Sequence, residues 1–250
     1  MKKLVYILFL TTVFSACLKT SSDSAAFSSS STNGSGGSLA RFAIVGNYLY
    51  TVDKQQLKVF SLADPSNPVL AGTSDVGFEI ETIFPFKDKL FIGSTSVVHI
   101  FSIQDPARPQ RLSTAISPTV MRRCDPVVAK DTVAYATLRT NGPCGGANSQ
   151  LVSFDIKDIL NPVQKSNLFV NEPYGLGYSD TTLYVCDKIG LSVYSIKNAY
   201  QPVRRNAVGT GEWFIDVIPY GSVLICWTSA GLSLYDISSP ENPVLLKKIG

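Results

Sequence analysis

The sequence predicts an all-β chain folded as a β-propeller, most economically five blades of four antiparallel strands each. Three observations predict it. The pattern Leu57-Lys58-Val59-Phe60-Ser61-Leu62 returns at Val98–Ile103, Leu151–Ile156, Leu191–Ile196 and Leu232–Ile237. A proline stands eleven residues after the start of each copy, at Pro68, Pro109, Pro162, Pro202 and Pro243, so the repeats step by 41, 53, 40 and 41 residues. Within each copy apolar and polar residues alternate, the period of a half-buried strand. A strand-rich unit repeating near forty residues is the length of a propeller blade, and a closed ring of such blades removes long free sheet edges. An incomplete ring is the alternative, because the chain starts on an inner strand and stops on an outer one.

The leader comes first. Lys2 and Lys3 precede an apolar run from Leu4 to Phe14, which ends in Ser15-Ala16-Cys17. A basic start, an apolar stretch and a small-residue cleavage site make residues 1–16 an export signal, and eleven apolar residues are too few to span a bilayer as a helix. Phe14-Ser15-Ala16-Cys17 resembles a bacterial lipobox. That resemblance implies cleavage before Cys17 and acyl chains on it, so the membrane becomes a partner through lipid and the outer membrane the expected address. Two or more chains hold a protein where one does not. An ordinary secretory signal with a chance cysteine is the other reading.

Residues 17–38, rich in serine and glycine, bury too little apolar surface to fold and read as a flexible tether. The propeller then occupies 39–250, with repeats near 41–81, 82–122, 123–172, 173–213 and 214–250. Inner strands are expected at Phe42–Val45, Ile83–Phe86, Pro126–Ala129, Leu176–Tyr178 and Val217–Pro219. Second strands precede each echo by eight residues, as at Tyr48–Val52 and Lys89–Gly93. The echo itself is the third strand, with an aromatic column of Phe60, Phe101, Phe154, Tyr194 and Tyr235. Turns such as Asp64-Pro65-Ser66-Asn67-Pro68 lead to the fourth strand, whose first residue tolerates proline.

Charge narrows the partners. Of 22 basic side chains two lie in the leader, and 19 acidic ones face the rest. Such a balance argues against nucleic acid, which asks for a concentrated basic face. No metal-ligand spacing is present, and Gly142–Gly146 lacks the strand-to-helix context of a phosphate loop, so no cofactor is expected. His99, the single histidine, shares a polar column with Lys58, Ser192 and Ser233 and is expected on an exposed strand face. Cys124 and Cys144, the latter in the one long insertion at Arg139–Gln150, fall at one end of the blades. A disulfide between them suits an exported protein; two free thiols are the alternative. Cys186 and Cys226, one register position apart, read as small buried hydrophobes on different sheet faces.

The loops from each outer strand to the next inner strand vary while the strands repeat. They carry Phe78, Glu79 and Glu81, then Arg122, Arg123 and Asp125, then Glu172 and Tyr174, then Glu212, Trp213 and Asp216. Loops on a rigid scaffold are where function concentrates, and aromatics for area beside charges for orientation make a binding face. The first reading is a non-catalytic binding or scaffolding module for protein, peptide or glycan at the cell envelope, with no catalytic residue. The second is a hydrolase, such as a carbohydrate-active enzyme, that pairs carboxylates among Glu79, Glu81, Asp125, Glu172, Glu212 and Asp216 across the channel.

Leu232-Ser233-Leu234-Tyr235-Asp236-Ile237, followed by Ser238-Ser239-Pro240-Glu241-Asn242-Pro243, resembles the LVIVD-repeat family of bacterial surface or periplasmic lipoproteins. So do Cys124-Asp125-Pro126-Val127-Val128, Cys144-Gly145-Gly146, Gly175-Leu176-Gly177 and Asp216-Val217-Ile218-Pro219-Tyr220. The resemblance covers the whole domain after the tether. It implies a β-propeller and an envelope address, and no reaction.

Overall fold

A computed structural model describes residues 36–95, 97–117, 126–140 and 149–250, and every regular element among them is a strand. Five antiparallel sheets of four strands follow in chain order. Blade 1 holds β1 (Phe42–Val45), β2 (Tyr48–Val52), β3 (Gln56–Ser61) and β4 (Val69–Asp75). Blade 2 holds β5 (Ile80–Phe86), β6 (Lys89–Ser94), β7 (Val97–Ser102) and β8 (Gln110–Ile116). Blade 3 holds β9 (Val127–Lys130), β10 (Val133–Leu138), β11 (Gln150–Asp155) and β12 (Val163–Phe169). Blade 4 holds β13 (Pro173–Ser179), β14 (Thr182–Asp187), β15 (Gly190–Ser195) and β16 (Val203–Val208). Blade 5 holds β17 (Phe214–Tyr220), β18 (Val223–Thr228), β19 (Gly231–Asp236) and β20 (Val244–Ile249). The predicted blades are therefore present. The inner strands of blades 2, 4 and 5 begin about three residues earlier than their apolar pattern: Ile80, Pro173 and Phe214 are buried and paired, but a bulge after each breaks the alternation.

The repeat extends to details that hydropathy does not report. In every blade the ladder between third and fourth strands slips by one residue just before the column aromatic, as where Val59 pairs with Gly72 but Phe60 with Leu70. The same bulge precedes Phe101, Phe154, Tyr194 and Tyr235. An extra residue on one strand bends it and raises the local twist, which suits the outermost strand of a blade. The turn after each inner strand has a left-handed residue, at Gly46, Lys87, Asp131, Asp180 and Gly221.

Consecutive blades pack through four apolar clusters. Tyr50, Leu57 and Val59 of blade 1 meet Ile83, Leu90 and Phe101 of blade 2. Phe91, Val98 and Ile100 of blade 2 meet Ala129, Ala134 and Phe154 of blade 3. Tyr135 and Leu151 of blade 3 meet Leu183 and Tyr194 of blade 4, and Tyr184 and Val193 of blade 4 meet Leu224 and Tyr235 of blade 5. Tyrosines lock three of these seams: Tyr50 donates to Pro106 O at 2.9 Å, Tyr135 to Ala199 O at 2.7 Å and Tyr184 to Pro240 O at 2.9 Å. Among the described residues no fifth cluster joins blade 5 to blade 1. Phe42 and Ile44 of blade 1 and Trp227 and Leu232 of blade 5 stay exposed.

Two expectations change. His99 is buried beneath Gly77, its Nδ1 3.4 Å from Thr114 Oγ1; blade 2 is covered on the face that blade 1 leaves open around Lys58. Gly37 and Ser38, placed at the end of the tether, are buried as well. Cys186 and Cys226 do sit on opposite faces of their own sheets, and for that reason both enter the seam between blades 4 and 5.

Candidate functional site

Backbone hydrogen bonds bring the varied loops and the turns between second and third strands onto one face. Ile80 N donates to Lys54 O at 3.1 Å, Gly211 N to Ile189 O at 2.8 Å and Ser229 N to Trp213 O at 3.0 Å. We call this the loop face; the turns after the inner strands and the proline turns form the opposite, turn face.

Three side chains from successive blades stack on the loop face. Arg139, just beyond β10, lies with its guanidinium 4.3 Å from the ring centre of Tyr174. Tyr174 in turn meets Trp213 at 5.2 Å between ring centres, tilted by 53°. Thr137 Oγ1 fixes the middle member by donating to Tyr174 O at 2.8 Å. A cation over a ring and a tilted ring pair are each favourable by roughly 0.5–1.5 kcal/mol, so the ladder is preorganised. Trp213 remains 36% exposed and Phe78, on the loop between blades 1 and 2, 78%. Half-buried Glu81 has its carboxyl pushed above the usual range by burial, against the pull of Arg139 and Arg41.

Most of the other acids are engaged. Glu79 accepts from Thr95 Oγ1 at 2.5 Å, Glu172 pairs with Lys188 at 3.1 Å, and Glu212 pairs with Lys248 at 2.7 Å. Glu79 and Glu172 adopt positive φ, 57° and 24°, a conformation that costs a non-glycine residue on the order of 1 kcal/mol. Glu212 Oε1 is enclosed and finds no donor among the described residues, which leaves an acceptor next to Trp213.

Asp216 has a different role from the surface position expected of it. Its Oδ1 accepts from Ser38 Oγ at 3.2 Å and Val217 N at 3.0 Å, and its Oδ2 from Leu39 N at 3.1 Å. Ser38 Oγ also accepts from Leu176 N at 2.7 Å. Burial pushes the Asp216 carboxyl up to about 6, and these hydrogen bonds limit the rise. A Cβ at Gly37 or Gly175 would overlap this carboxylate. The residue is a clamp between the chain's entry segment and blades 4 and 5.

The structure thus joins Tyr174 with Trp213 and assigns Asp216 inward. Arg139 was not singled out in the sequence as a binding residue; its only signal was a charge closing an apolar strand at the start of the insertion. Arg122, Arg123, Cys124, Asp125 and Cys144 lie outside the described residues, as does Cys17. Among the described residues no group of three or more His, Cys, Asp or Glu is placed to hold a metal, and no helix is long and apolar enough to cross a membrane.

The LVIVD repeat model matches residues 36–76, which take in the entry segment and all of blade 1. No curated protein matches the chain in sequence. Solved structures share its fold. A protein of unknown function from Desulfotomaculum acetoxidans superposes with TM-score 0.64 at 11% identity, over 80% of this chain and 65% of its own. The periplasmic gluconolactonase PpgL of Pseudomonas aeruginosa gives 0.59 at 14%, over 81% and 67%. BamB of Moraxella catarrhalis gives 0.54 at 10%, over 75% and 55%. The chain spans about half to two thirds of the length of these proteins. At such identities the likeness is one of fold.

Proposed function

We propose that this protein is a binding propeller of the cell envelope, tethered by lipid on Cys17, which holds a peptide or glycan segment of an envelope partner against the Arg139–Tyr174–Trp213 ladder. The observation that carries the reading is the division of labour on the loop face. Glu79, Glu172, Glu212 and Asp216 are held by a hydroxyl, two lysines and a buried clamp, whereas the aromatic ladder is ordered and still open. Flat rings edged by a guanidinium suit a ligand with a planar or sugar face and hydrogen-bond acceptors. Hydrolysis needs a free pair of carboxyls in defined separation, and Glu81 alone among the described candidates is held by neither a hydroxyl, a lysine nor the clamp.

A photo-crosslinking residue at Phe78, installed in the full chain in its own envelope, should capture a discrete partner. Arg139→Ala combined with Trp213→Ala should abolish that product while the chain stays folded. An unchanged crosslink in the double variant would remove the ladder from the reading. The leader and lipid on Cys17 are tested by fractionation: Cys17→Ser should release the chain from membranes. A Cys124–Cys144 bridge belongs to the same proposal. It would close a loop of about twenty residues and add roughly 3 kcal/mol, and mass spectrometry of unreduced protein should find the two peptides joined.

A further inference from the structure

The residues before blade 1 occupy the axis of the propeller. Gly36 borders a cavity of about 200 Å³ lined by Phe84–Phe86 of β5, Leu176–Tyr178 of β13 and Val217–Pro219 of β17. Those residues form the half of each inner strand that runs toward the turn face. From there the chain climbs. Gly37 backs onto Asp216, Ser38 and Leu39 are held by its carboxylate, and Ala40 N closes a tight turn on Gly37 O at 3.1 Å. Ala40 O then accepts from Ile83 N at 2.8 Å, and Arg41 O from Val52 N at 2.9 Å, the residue that ends β2 beside the loop face. Five consecutive residues, Gly37 to Arg41, are therefore fixed to blades 1, 2, 4 and 5. Gly37 lies where no side chain fits, and Gly36 approaches Ala40 with little room to spare.

From this path we infer that the amino-terminal tether reaches the domain through the turn-face mouth of the central channel, so that the anchored protein turns its loop face, with the Arg139–Tyr174–Trp213 ladder, away from its own membrane and toward partners in trans. The channel is thereby the docking site of a segment of this chain and is stoppered beneath the loop face. The outward display rests on the lipid tether proposed above; the direction of entry does not. A strand of six or seven residues places the two faces roughly 20 Å apart, a separation large enough to measure.

The direction of entry is tested in the full mature chain without lipid, in a background where Cys17, Cys124 and Cys144 are serine and only the buried Cys186 and Cys226 remain. A spin label at Ser35→Cys is paired in turn with one at Ser222→Cys on the turn face and one at Phe78→Cys on the loop face. The distance to Ser222 should be the shorter by roughly 10–20 Å, given that face separation. Equal distances, or a shorter one to Phe78, would overturn the threading. Asp216→Leu should broaden the short distance by freeing the segment, with blade folding monitored by circular dichroism. Orientation is read on the lipidated chain bound to phosphatidylethanolamine–phosphatidylglycerol vesicles. A bulky polyethylene-glycol maleimide should modify Phe78→Cys several-fold faster than Ser222→Cys there and at similar rates in detergent. Similar rates on vesicles would overturn the outward display alone. A chain recovered from its own envelope with no lipid on Cys17, together with the expected spin-label distances, would overturn the anchor and the display and leave the threading standing.

Discussion

Blades 2 to 4 and blades 1 and 5 are built from one repeat, yet they live in different environments. The middle strands of the three inner blades are buried along nearly their whole length, whereas those of blades 1 and 5 alternate between covered and open. Among the described residues each terminal blade packs on one neighbour. Opposite the column aromatic, on the face toward the preceding blade, blades 2, 3 and 4 place Arg111, Gln164 and Arg204, and blade 5, covered there by blade 4, places Leu245; blade 1, with no blade packed on that face, places Leu70. On blade 1 this completes an apolar row, Ile44, Leu49, Phe60 and Leu70, across all four strands of the face without a neighbour. A repeat thus specifies the blade, and position in the chain decides what each copy's faces cost or contribute.

The largest expected effect tests that statement directly. Leu49 and Leu183 hold the same repeat position, the second residue of the second strand, but Leu183 is fully buried and Leu49 half-buried. Leu183→Ala removes packed methyl groups and leaves a cavity, for about 3 kcal/mol, while Leu49→Ala should cost under about 1 kcal/mol. Chemical unfolding of both variants checks it. Equal losses would mean that the blade 1 face is covered in solution.

Much of this architecture was legible beforehand because it is periodic. The echo of the third strand, the five prolines and the aromatic column lie on the surface of the sequence, and the blades follow from them. Context was not legible. His99 shares a column with half-buried Lys58, and nothing in its own neighbourhood says that blade 1 will cover it. Asp216 looked like one loop acid among several, because its partners Ser38 and Leu39 are nearly 180 residues away, at the end of and just past a stretch whose composition reads as tether. Tyr174 and Trp213 were found as varied aromatics on varied loops; their contact, and Arg139 above them, needed three blades set side by side.

Protonation sharpens the contrast next. The Asp216 carboxyl, raised from its ordinary 3.8 to about 6 by burial, contributes stability that is fully present below about pH 4 and lost as pH rises through 6. His99, lowered from 6.5 to about 4 by burial and then by Arg111, does the reverse: its contribution is present above pH 6.5 and lost as pH falls toward 4. Each shift is worth about 3 kcal/mol, and over pH 4–6.5 the two oppose each other. Stability of the unaltered chain should vary little there on their account. Asp216→Asn should become less stable on acidification, and His99→Gln more stable. Parallel slopes in the two variants would break the assignment of one group to the channel clamp and the other to the covered seam.

The seam tyrosines give a smaller effect. Tyr184→Phe and Tyr50→Phe each delete a hydroxyl that satisfies a turn carbonyl in the next blade, worth about 1 kcal/mol. Phe91 and Ile225, at the same position in blades 2 and 5, have no hydroxyl to lose. The reverse change, Phe91→Tyr, should therefore gain little, since the seam between blades 2 and 3 already uses Ser113 Oγ to reach Ile159 O.

The smallest expected difference lies in the turns after the inner strands. All five hold a residue at φ between 49° and 58°, but only the terminal blades use glycine there, Gly46 and Gly221; the inner blades use Lys87, Asp131 and Asp180. Aspartate tolerates the left-handed region better than lysine does, so Lys87 carries the most strain. Lys87→Gly relieves it by about 1 kcal/mol, gives back part through the greater entropy of the unfolded chain, and loses the Lys87 ammonium 5.1 Å above the Phe86 ring, an exposed contact worth about 0.5 kcal/mol. The net gain should be close to zero. Gly221→Lys introduces the same strain, and the residue before it is exposed Tyr220, whose ring offers at most a similar contact. It should lose about 1 kcal/mol, a fall of a few degrees in melting temperature for a domain of this size. A thermal scan of the two variants side by side reads the asymmetry. Equal shifts of opposite sign would show that the inner blades' turns are held at their left-handed residues by no compensating contact.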